Sequence, residues 1–301
     1  MLMDHIGEFF PDSPIWFRWL GRLAAPLFFY ALAVGFQHTR NRKKYLLRLY
    51  LANVGMVFFN QIMCMLQRKL DYVAYQPKNH NIFTTLFCAG VLICIWENRK
   101  EKKKFFTYIG IYIFWQAMVM GLAILAEAFD YVWRGNALLQ TVLRTNYIFP
   151  LLGGIWDAEG GVFFIVLGIW LYCAVENKWK LALRYILFCG AYMFMCQGDI
   201  LYRIMSRFSF WGYHKLADVI YFGSSFVGIP LGTSDLSLLT EFYQWMMIGA
   251  LPIMLSCNGK RGKSLKWLFY AAYPLQFLVL YGIRSEEHTS ELQSPRYLVC
   301  R

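Results

Sequence analysis

Residues 97–127, ENRKEKKKFFTYIGIYIFWQAMVMGLAILAE, join a basic cluster to a long apolar run. A helix needs about 20 consecutive, mainly apolar residues to cross the hydrocarbon core of a bilayer. Residues 105–126 meet that requirement, since none of them carries a charge. Because hydrocarbon offers no partner for backbone polar groups, such a run predicts an α-helix. The stretch therefore indicates a protein that is integral to a membrane.

The composition and the other apolar runs extend this interpretation to the whole chain. Hydrophobic residues make up 58% of the 301 residues and charged residues only 16%, whereas soluble domains carry about 25% charged residues. Besides 105–127, apolar runs occupy residues 17–36, 45–66, 82–96, 160–176, 181–197, 239–256 and 267–283. The sequence therefore predicts an all-α fold, a polytopic transmembrane helix bundle with about eight spans. The run 82–96 is short for a span, so we expect it to borrow residues 79–81 or to pack inside the bundle.

The net charge of +12 arises mainly in short loops between the runs. Four loops are rich in Lys and Arg: HTRNRKK at 38–44, ENRKEKKK at 97–104, ENKWKLALR at 176–184 and CNGKRGKSLK at 257–266. The positive-inside rule places these loops in the cytoplasm. It predicts an external location for residues 1–16, 67–81, 128–159 and 198–238. Topology accounts for the basic charge, so the expected partner is the lipid bilayer and no nucleic acid.

Two of the predicted external segments are rich in Gly, Pro and aromatic residues. They are NYIFPLLGGIWDAEGG at 146–161 and YFGSSFVGIPLGTSD at 221–235. Irregular backbone is tolerated at membrane depth where protein or a water-filled cavity surrounds it. These segments are therefore expected to be re-entrant or interfacial pieces that line a cavity, and not free loops.

Both ends of the sequence depart from the apolar pattern. From Arg284 the chain reads RSEEHTSELQS, which resembles the translated frame of a sequencing adapter. We therefore expect residues 1–283 to form the transmembrane domain and residues 284–301 to be a non-native tail. The N-terminal MLMDHIG resembles the end of an apolar segment, so one further helix is expected upstream.

Ionisable residues at the predicted membrane boundary are the first candidates for chemistry, because burying them in lipid is costly. Asp4 and His5 precede the first run. His is the usual proton acceptor near neutral pH, and a carboxylate can orient its ring. Neighbouring helical residues point about 100° apart, so Asp4 need not touch His5. Arg22 lies inside the run, where a guanidinium needs an acid, an anion or the interface. The alternatives are an inert interfacial His5 and an Arg22 that only extends to the headgroups.

Two of the basic loops could bind the phosphates of a cytoplasmic donor, since Lys and Arg supply charge and glycine permits close backbone approach. The predicted contacts are His38, Thr39, Arg40, Asn258, Lys260 and Arg261. The alternative is charge that only sets topology. The chain has no P-loop, HExxH or GxSxG motif. Its eight cysteines form no CxxC pair, so no metal site is predicted.

Four stretches, taken in order, resemble the TraX family of conjugal-transfer membrane proteins. They are MDHIGEFFPD at 3–12, GRLAAPLFFYALAVGFQHTRNRKKYLLRL at 21–49, NIFTTLFCAG at 81–90 and CNGKRGKSLKWLFYAAYPLQFLVL at 257–280, with a weaker likeness in WDAEGGVFFIVLGIWLY at 156–172. The resemblance implies a multi-pass protein of the bacterial cytoplasmic (inner) membrane, named for acetylation of the pilin N-terminus. It also implies a distant similarity to membrane acyltransferases that take acyl groups from cytoplasmic acyl-CoA.

Motifs of the family match particular residues of this sequence. The family's Asp-His pair matches Asp4 and His5, its Gly-Arg pair matches Gly21 and Arg22, and its His-Thr pair matches His38 and Thr39. Its Asn-Gly-x-x-Gly loop matches residues 258–262, and its closing Tyr-Pro matches Tyr273 and Pro274. One position departs: the family pattern has His two residues after the Tyr-Pro, and here it is Gln276. Gln forms hydrogen bonds but does not shuttle a proton near neutral pH. If that His is catalytic in the family, this chain is impaired or relies on His5.

The leading hypothesis is a membrane acyltransferase that moves acetyl from cytoplasmic acetyl-CoA to an extracytoplasmic acceptor, either pilin or a cell-envelope polymer. His5 would act as general base, with Asp4 and Arg22 orienting groups or stabilising an oxyanion. One alternative is a small-molecule or lipid transporter or flippase, which intramembrane Arg, Glu and Gln would suit. Another is a non-catalytic membrane assembly protein.

Overall fold

The computed structural model describes most of the chain. The described residues are 1–10, 12–69, 81–132, 145–156, 158–197, 236–258 and 266–292, together with 207, 215, 218, 220, 223–224 and 226–229. Within these ranges the regular elements are helices, and no strand occurs. The predicted all-α fold is confirmed.

Eleven helices are named here in chain order from the described residues. They are α1 Leu2–Phe9, α2 Trp16–Gly21, α3 Ala24–His38, α4 Arg42–Lys69, α5 Ile82–Glu97, α6 Lys102–Val132, α7 Thr145–Leu151, α8 Gly161–Tyr172, α9 Lys178–Gln197, α10 Ala250–Ser256 and α11 Lys266–Leu292. Two 3₁₀ helices, Asn98–Lys100 and Tyr243–Gly249, follow α5 and precede α10. Pro26 falls in the first turn of α3, where its missing N–H removes no intrahelical bond.

Five helical stretches in the described part of the chain are long and apolar enough to cross a membrane. They are Trp16–His38, Arg42–Met63, Ile82–Lys100, Lys102–Ala126 and Lys178–Cys196. Two shorter apolar helices, Gly161–Tyr172 and Leu268–Ile283, fall within further predicted runs. The protein is therefore a multi-pass membrane protein, and the count of about eight spans is not confirmed.

The predicted run 239–256 shows why the count differs. It forms the 3₁₀ helix Tyr243–Gly249 followed by the seven-residue helix α10. Gly249 is a weak helix former, and Pro252 has no N–H to continue an α-helical ladder across the junction. Apolar composition alone does not reveal such a break.

The chain divides into two compact units. One comprises Met1–Leu27 with Ser237–Arg301, and the other comprises Phe28–Leu236. They are called the terminal unit and the central unit below. The backbone of α11 stays helical to Leu292. The proposed boundary at residues 283 and 284 stays a prediction.

Helix α5 lies at the core of the central unit. Ten of its residues are buried, including Thr84, Thr85 and Cys88, and it packs against α4, α6 and α8. A Cβ added at Gly168 of α8 would lie 2.9 Å from the Cβ of Ala89, so the glycine permits the close helix approach that is common in membrane proteins. The short run 82–96 thus packs inside the unit, and the 3₁₀ turn to Lys100 lengthens it.

One end of the central unit brings three basic junctions together. Glu97, at the end of α5, accepts a hydrogen bond from Arg42 Nη2 at 2.9 Å and from the Tyr172 hydroxyl at 2.5 Å. Arg42 begins α4 and Tyr172 ends α8. The loops that start at residues 38, 97 and 176 therefore lie at the same end of the unit, which agrees with their shared assignment to one side of the membrane.

The end of α7 and the irregular backbone after it are hydrogen-bonded to the surrounding helices. Asn53 Nδ2 donates to the carbonyl of Pro150 at 2.6 Å, and Gln116 Nε2 donates to that of Gly153 at 3.1 Å. The Tyr50 hydroxyl and Trp115 Nε1 donate to the carbonyls of Leu151 and Leu152. Side chains of α4 and α6 thus satisfy backbone that lipid could not satisfy. This segment is not a free loop, whereas most of residues 221–235 lie outside the described residues.

Replacing Asn53 with leucine is expected to lower the unfolding free energy of the central unit. Asn53 is fully buried, and its Oδ1 accepts from Asn81 Nδ2 and from the Thr84 hydroxyl, each at 2.7 Å. The change leaves several buried groups unpaired, and the expected cost is about 1–3 kcal/mol. Denaturant titration in detergent micelles measures the cost. Asn98→Ala is the matched control, because Asn98 is only half-buried and bonds the Cys94 carbonyl in the preceding helix α5. Equal losses of unfolding free energy in the two variants would refute the hydrogen-bond network around Asn53.

Candidate functional site

Helices α1 and α2 of the terminal unit pack at very short range. A Cβ added at Gly21 would overlap the side chain of Asp4, and one added at Gly7 would lie 2.5 Å from Arg18 Cδ. Between the two helices, the backbone N–H of Ser13 donates to the carbonyl of Phe10 at 3.0 Å. The two glycines therefore allow the charged residues of α1 and α2 to meet.

The carboxylate of Asp4 lies between two arginines. Arg22 Nη2 donates to both carboxylate oxygens at 2.5 Å. Arg18 Nη1 lies 3.0 Å from Asp4 Oδ1 and donates to the Asp4 backbone carbonyl at 2.8 Å. The exposed fractions are 17% for Asp4 and Arg18 and 22% for Arg22. Charge-assisted hydrogen bonds with so little solvent access are the stronger kind. The predicted need of Arg22 for an acid is thus met by Asp4.

The 3₁₀ helix Tyr243–Gly249 completes this cluster from the far end of the chain. The Tyr243 hydroxyl accepts from Arg18 Nε at 2.9 Å, and Gln244 Oε1 accepts from Arg22 Nη1 at 3.0 Å. Both guanidinium carbons lie 5.5 Å from the Tyr243 ring centroid, within the range of a cation–π interaction. Asp4, Arg18, Arg22, Tyr243 and Gln244 are called the arginine cluster below.

His5 points away from solvent into an aromatic environment. Its residue is 5% exposed, and its ring centroid lies 4.4 Å from that of Phe277 and 6.4 Å from that of Tyr273. Glu8 Oε2 lies 3.8 Å from His5 Nδ1, so Glu8 is a carboxylate beside the imidazole. A buried His next to an acid and aromatic rings is a suitable arrangement for a general base.

Helix α11 contributes a buried face to the same unit. Phe9 packs against Tyr281 with ring centroids 4.9 Å apart, while His5 packs against Phe277. The buried positions of this face are Tyr273, Gln276, Phe277, Leu280 and Tyr281. Gln276, which stands where the family pattern has His, is therefore an interior residue of the terminal unit.

Four site residues were absent from the sequence prediction: Glu8, Arg18, Tyr243 and Gln244. Arg18 lies four residues before Arg22 and Glu8 three after His5, which are the spacings that place side chains on one helix face. Those two spacings are visible in the sequence and could have revealed both residues. Tyr243 is separated from Arg18 by 225 positions, and nothing local in the sequence marks that contact.

The predicted donor-binding residues are not part of this cluster. His38 ends α3, is exposed, and its Nδ1 lies 3.0 Å from the Val34 carbonyl. Thr39 is half-buried, and Arg40 and Asn258 are exposed. Lys260 and Arg261 lie outside the described residues. His38, Thr39 and Arg40 belong to the central unit, and Asn258 to the terminal unit. In the part of the chain that the structure describes, no group of His, Cys, Asp and Glu could hold a metal ion.

Gly21→Ala is expected to destabilise the terminal unit and to disturb the arginine cluster, because the new methyl group would overlap Asp4. Gly110→Ala in α6 is the matched control, since a Cβ there meets nothing within 4 Å. Alanine is the better helix former by about 1 kcal/mol, so the control is expected to be neutral or stabilising. Thermal unfolding in detergent compares the two, and a Gly21→Ala protein as stable as wild type would contradict the close approach.

Comparison with known proteins identifies the family. Neither a curated protein nor a solved structure matches the chain. A family described as "TraX protein" matches residues 1–193. That stretch includes Asp4, His5, Arg18 and Arg22, whereas Tyr243, Gln244 and α11 lie beyond it. Because the match spans well over half of the 301 residues, the chain belongs to the TraX family of conjugal-transfer, pilin-related membrane proteins.

Proposed function

We propose that the chain is a membrane acyltransferase whose reaction site lies in the terminal unit. The observation that supports this most is the environment of His5, which is buried against Phe277 and has Glu8 3.8 Å from its ring nitrogen. On the same helix, Asp4 forms ion pairs with Arg18 and Arg22. A positioned base and fixed charges are both groups that accelerate acyl transfer.

The proposed reaction uses His5 as general base. A polar channel passes the acetyl group, still attached to CoA, outward from the cytoplasmic side to His5. His5 takes the proton of an acceptor hydroxyl or amine as that acceptor attacks the thioester carbonyl of acetyl-CoA. The tetrahedral intermediate collapses with cleavage of the carbon–sulfur bond, and the thiolate of CoA takes the proton from His5. Asp4 and Arg22 orient the site or stabilise the negative charge that develops. Arg22 Nε suits the second role, because it is buried and has no hydrogen-bond partner among the described residues.

The donor in this proposal is acetyl-CoA, held on the cytoplasmic side of the bacterial inner membrane. His38, Thr39 and Arg40 are the residues predicted to bind its phosphates, and Asn258, Lys260 and Arg261 are a separate predicted set in the other basic loop. The acceptor is pilin or a cell-envelope polymer. Family membership supports the first of these, since the family is related to conjugal transfer and its pilin.

A transporter or flippase is the second candidate. The observation that favours it is the irregular backbone after α7, since broken segments at membrane depth line substrate pathways in many transporters. Against it, side chains already bond the carbonyls of Pro150 and Gly153. Those carbonyls are therefore not available to a substrate. A non-catalytic assembly role is the third candidate, which would hold if substitutions at His5, Arg22 and His38 leave function intact.

Acetyl transfer from CoA tests the proposal. Inverted membrane vesicles from bacteria that express the chain would receive acetyl-CoA labelled in the acetyl group. The expected result is release of free CoA thiol together with label in a product other than CoA, both above the level of vesicles without the chain. Uptake of a solute without any thiol release would favour a transporter, and neither activity would favour the assembly role.

A further inference from the structure

Gln276 carries a buried hydrogen-bond donor that the described part of the fold does not use. The residue is 8% exposed, and its Nε2 has no hydrogen-bond partner among the residues that the structure describes. It lies on α11 between Tyr273 and Phe277, two aromatic residues of the buried face. An amide in such a position needs a physical explanation.

The explanation follows from the cost of leaving a donor unpaired. A buried amide without an acceptor loses its hydrogen bonds to water and gains nothing in return. Native structures contain few such groups, and the exceptions often serve ligands or catalysis. Methionine has a similar shape and would fill the same space without that penalty. The glutamine at this position therefore indicates that the donor meets an acceptor outside the described residues, and a bound ligand can supply one.

The position of Gln276 on α11 suggests which ligand this is. Phe277, the next residue, packs on His5 with ring centroids 4.4 Å apart, and Tyr273, one turn earlier, lies 6.4 Å from the same ring. Gln276 thus belongs to the helix that forms the wall of the His5 environment. Both Nη atoms of Arg22 are already bonded to Asp4 and Gln244. The Gln276 amide is therefore a second donor, neutral and on a different helix, in addition to the cationic Arg22 Nε.

We propose that Gln276 Nε2 donates a hydrogen bond to the carbonyl oxygen of the acyl group during transfer. As the acceptor attacks the carbonyl carbon, the π electrons move to that oxygen, and the amide N–H stabilises the resulting oxyanion. The electron pair on the oxygen re-forms the carbonyl when the carbon–sulfur bond breaks. Gln276 neither takes nor gives a proton, so His5 can remain the base. This inference rests on the proposed acyl transfer and assigns the oxygen-binding group within it.

The test compares Gln276→Met with Leu280→Met in vesicles and in detergent. Leu280 is 3% exposed on the same face of α11, and its replacement conserves volume, so wild-type behaviour is expected. Gln276→Met removes an unpaired donor, so its thermal midpoint should rise by about 2–4 °C. Loss of an oxyanion donor should reduce the acetyl-transfer rate about 100- to 1000-fold. A more stable but inactive protein is the result that supports the proposal.

Three other results would overturn it in distinguishable ways. A lower thermal midpoint in Gln276→Met than in Leu280→Met would show that the amide has a structural partner. An unchanged transfer rate would show that the reaction does not use the amide, while acyl transfer itself would stand. A wild-type protein that transfers no acetyl group would remove the proposed function, and the role of Gln276 with it.

Discussion

Asp4→Asn is expected to lower the unfolding free energy by about 2–4 kcal/mol and to reduce acetyl transfer. The substitution removes the charge that neutralises Arg18 and Arg22, both of which remain mostly buried. Removing one partner of a fully buried ion pair costs about 3–5 kcal/mol. The 17% exposure of Asp4 lets water compensate in part, which lowers the expected cost. The arginines would then repel each other over the ring of Tyr243.

A double-mutant cycle with Arg22→Gln measures this coupling directly. Denaturant titration of the two single variants and the double variant should give an interaction free energy of about 1–3 kcal/mol. Asp12→Asn is the matched control, because Asp12 is exposed in the turn between α1 and α2. A loss in Asp4→Asn no larger than in Asp12→Asn would contradict the arginine cluster. If the losses of unfolding free energy in the two single variants add up to the loss in the double variant, the pairing of Asp4 with Arg22 is contradicted.

Much of the fold could be predicted because membrane spans are a local property of the sequence. A run such as 105–127 specifies a helix through its own length and composition, and the structure has an apolar helix at Lys102–Ala126. The run 239–256 was equally apolar, yet Gly249 and Pro252 divide it into a 3₁₀ helix and the short α10. Composition averages over such breaks, so it overestimates long helices.

The site was predictable only in part, because its contacts are both local and distant. Asp4, His5 and Arg22 were predicted because burying ionisable groups in lipid is costly. In the structure, the close packing of α1 and α2 brings Asp4 to Arg22. Neighbouring positions in a helix diverge, and the two side chains met different groups: Asp4 met the arginines, and His5 met Phe277 and Glu8. Tyr243 reaches Arg18 only because the chain folds back over 225 positions. No local sequence pattern predicts such a distant contact.

The terminal unit is built from both ends of the chain. Residues up to Leu27 supply the charged groups, and the segment from Ser237 supplies the tyrosine, the glutamines and the aromatic wall of α11. The family match ends at residue 193, before this second contribution begins. Function in this chain is therefore expected to depend on Tyr243 and α11 as much as on the matched region.

The rate of acetyl transfer by His5→Ala tests the central claim most directly. The measurement uses the same inverted vesicles and labelled acetyl-CoA, with His5→Asn as a variant that conserves more of the ring volume. Arg99→Gln in the Asn98–Lys100 turn is the control, since it changes an exposed residue of the other unit. If His5 is the base, both His5 variants should lose about 100- to 10,000-fold in rate, while Arg99→Gln keeps the wild-type rate. Equal transfer by wild type and His5→Ala would contradict the account.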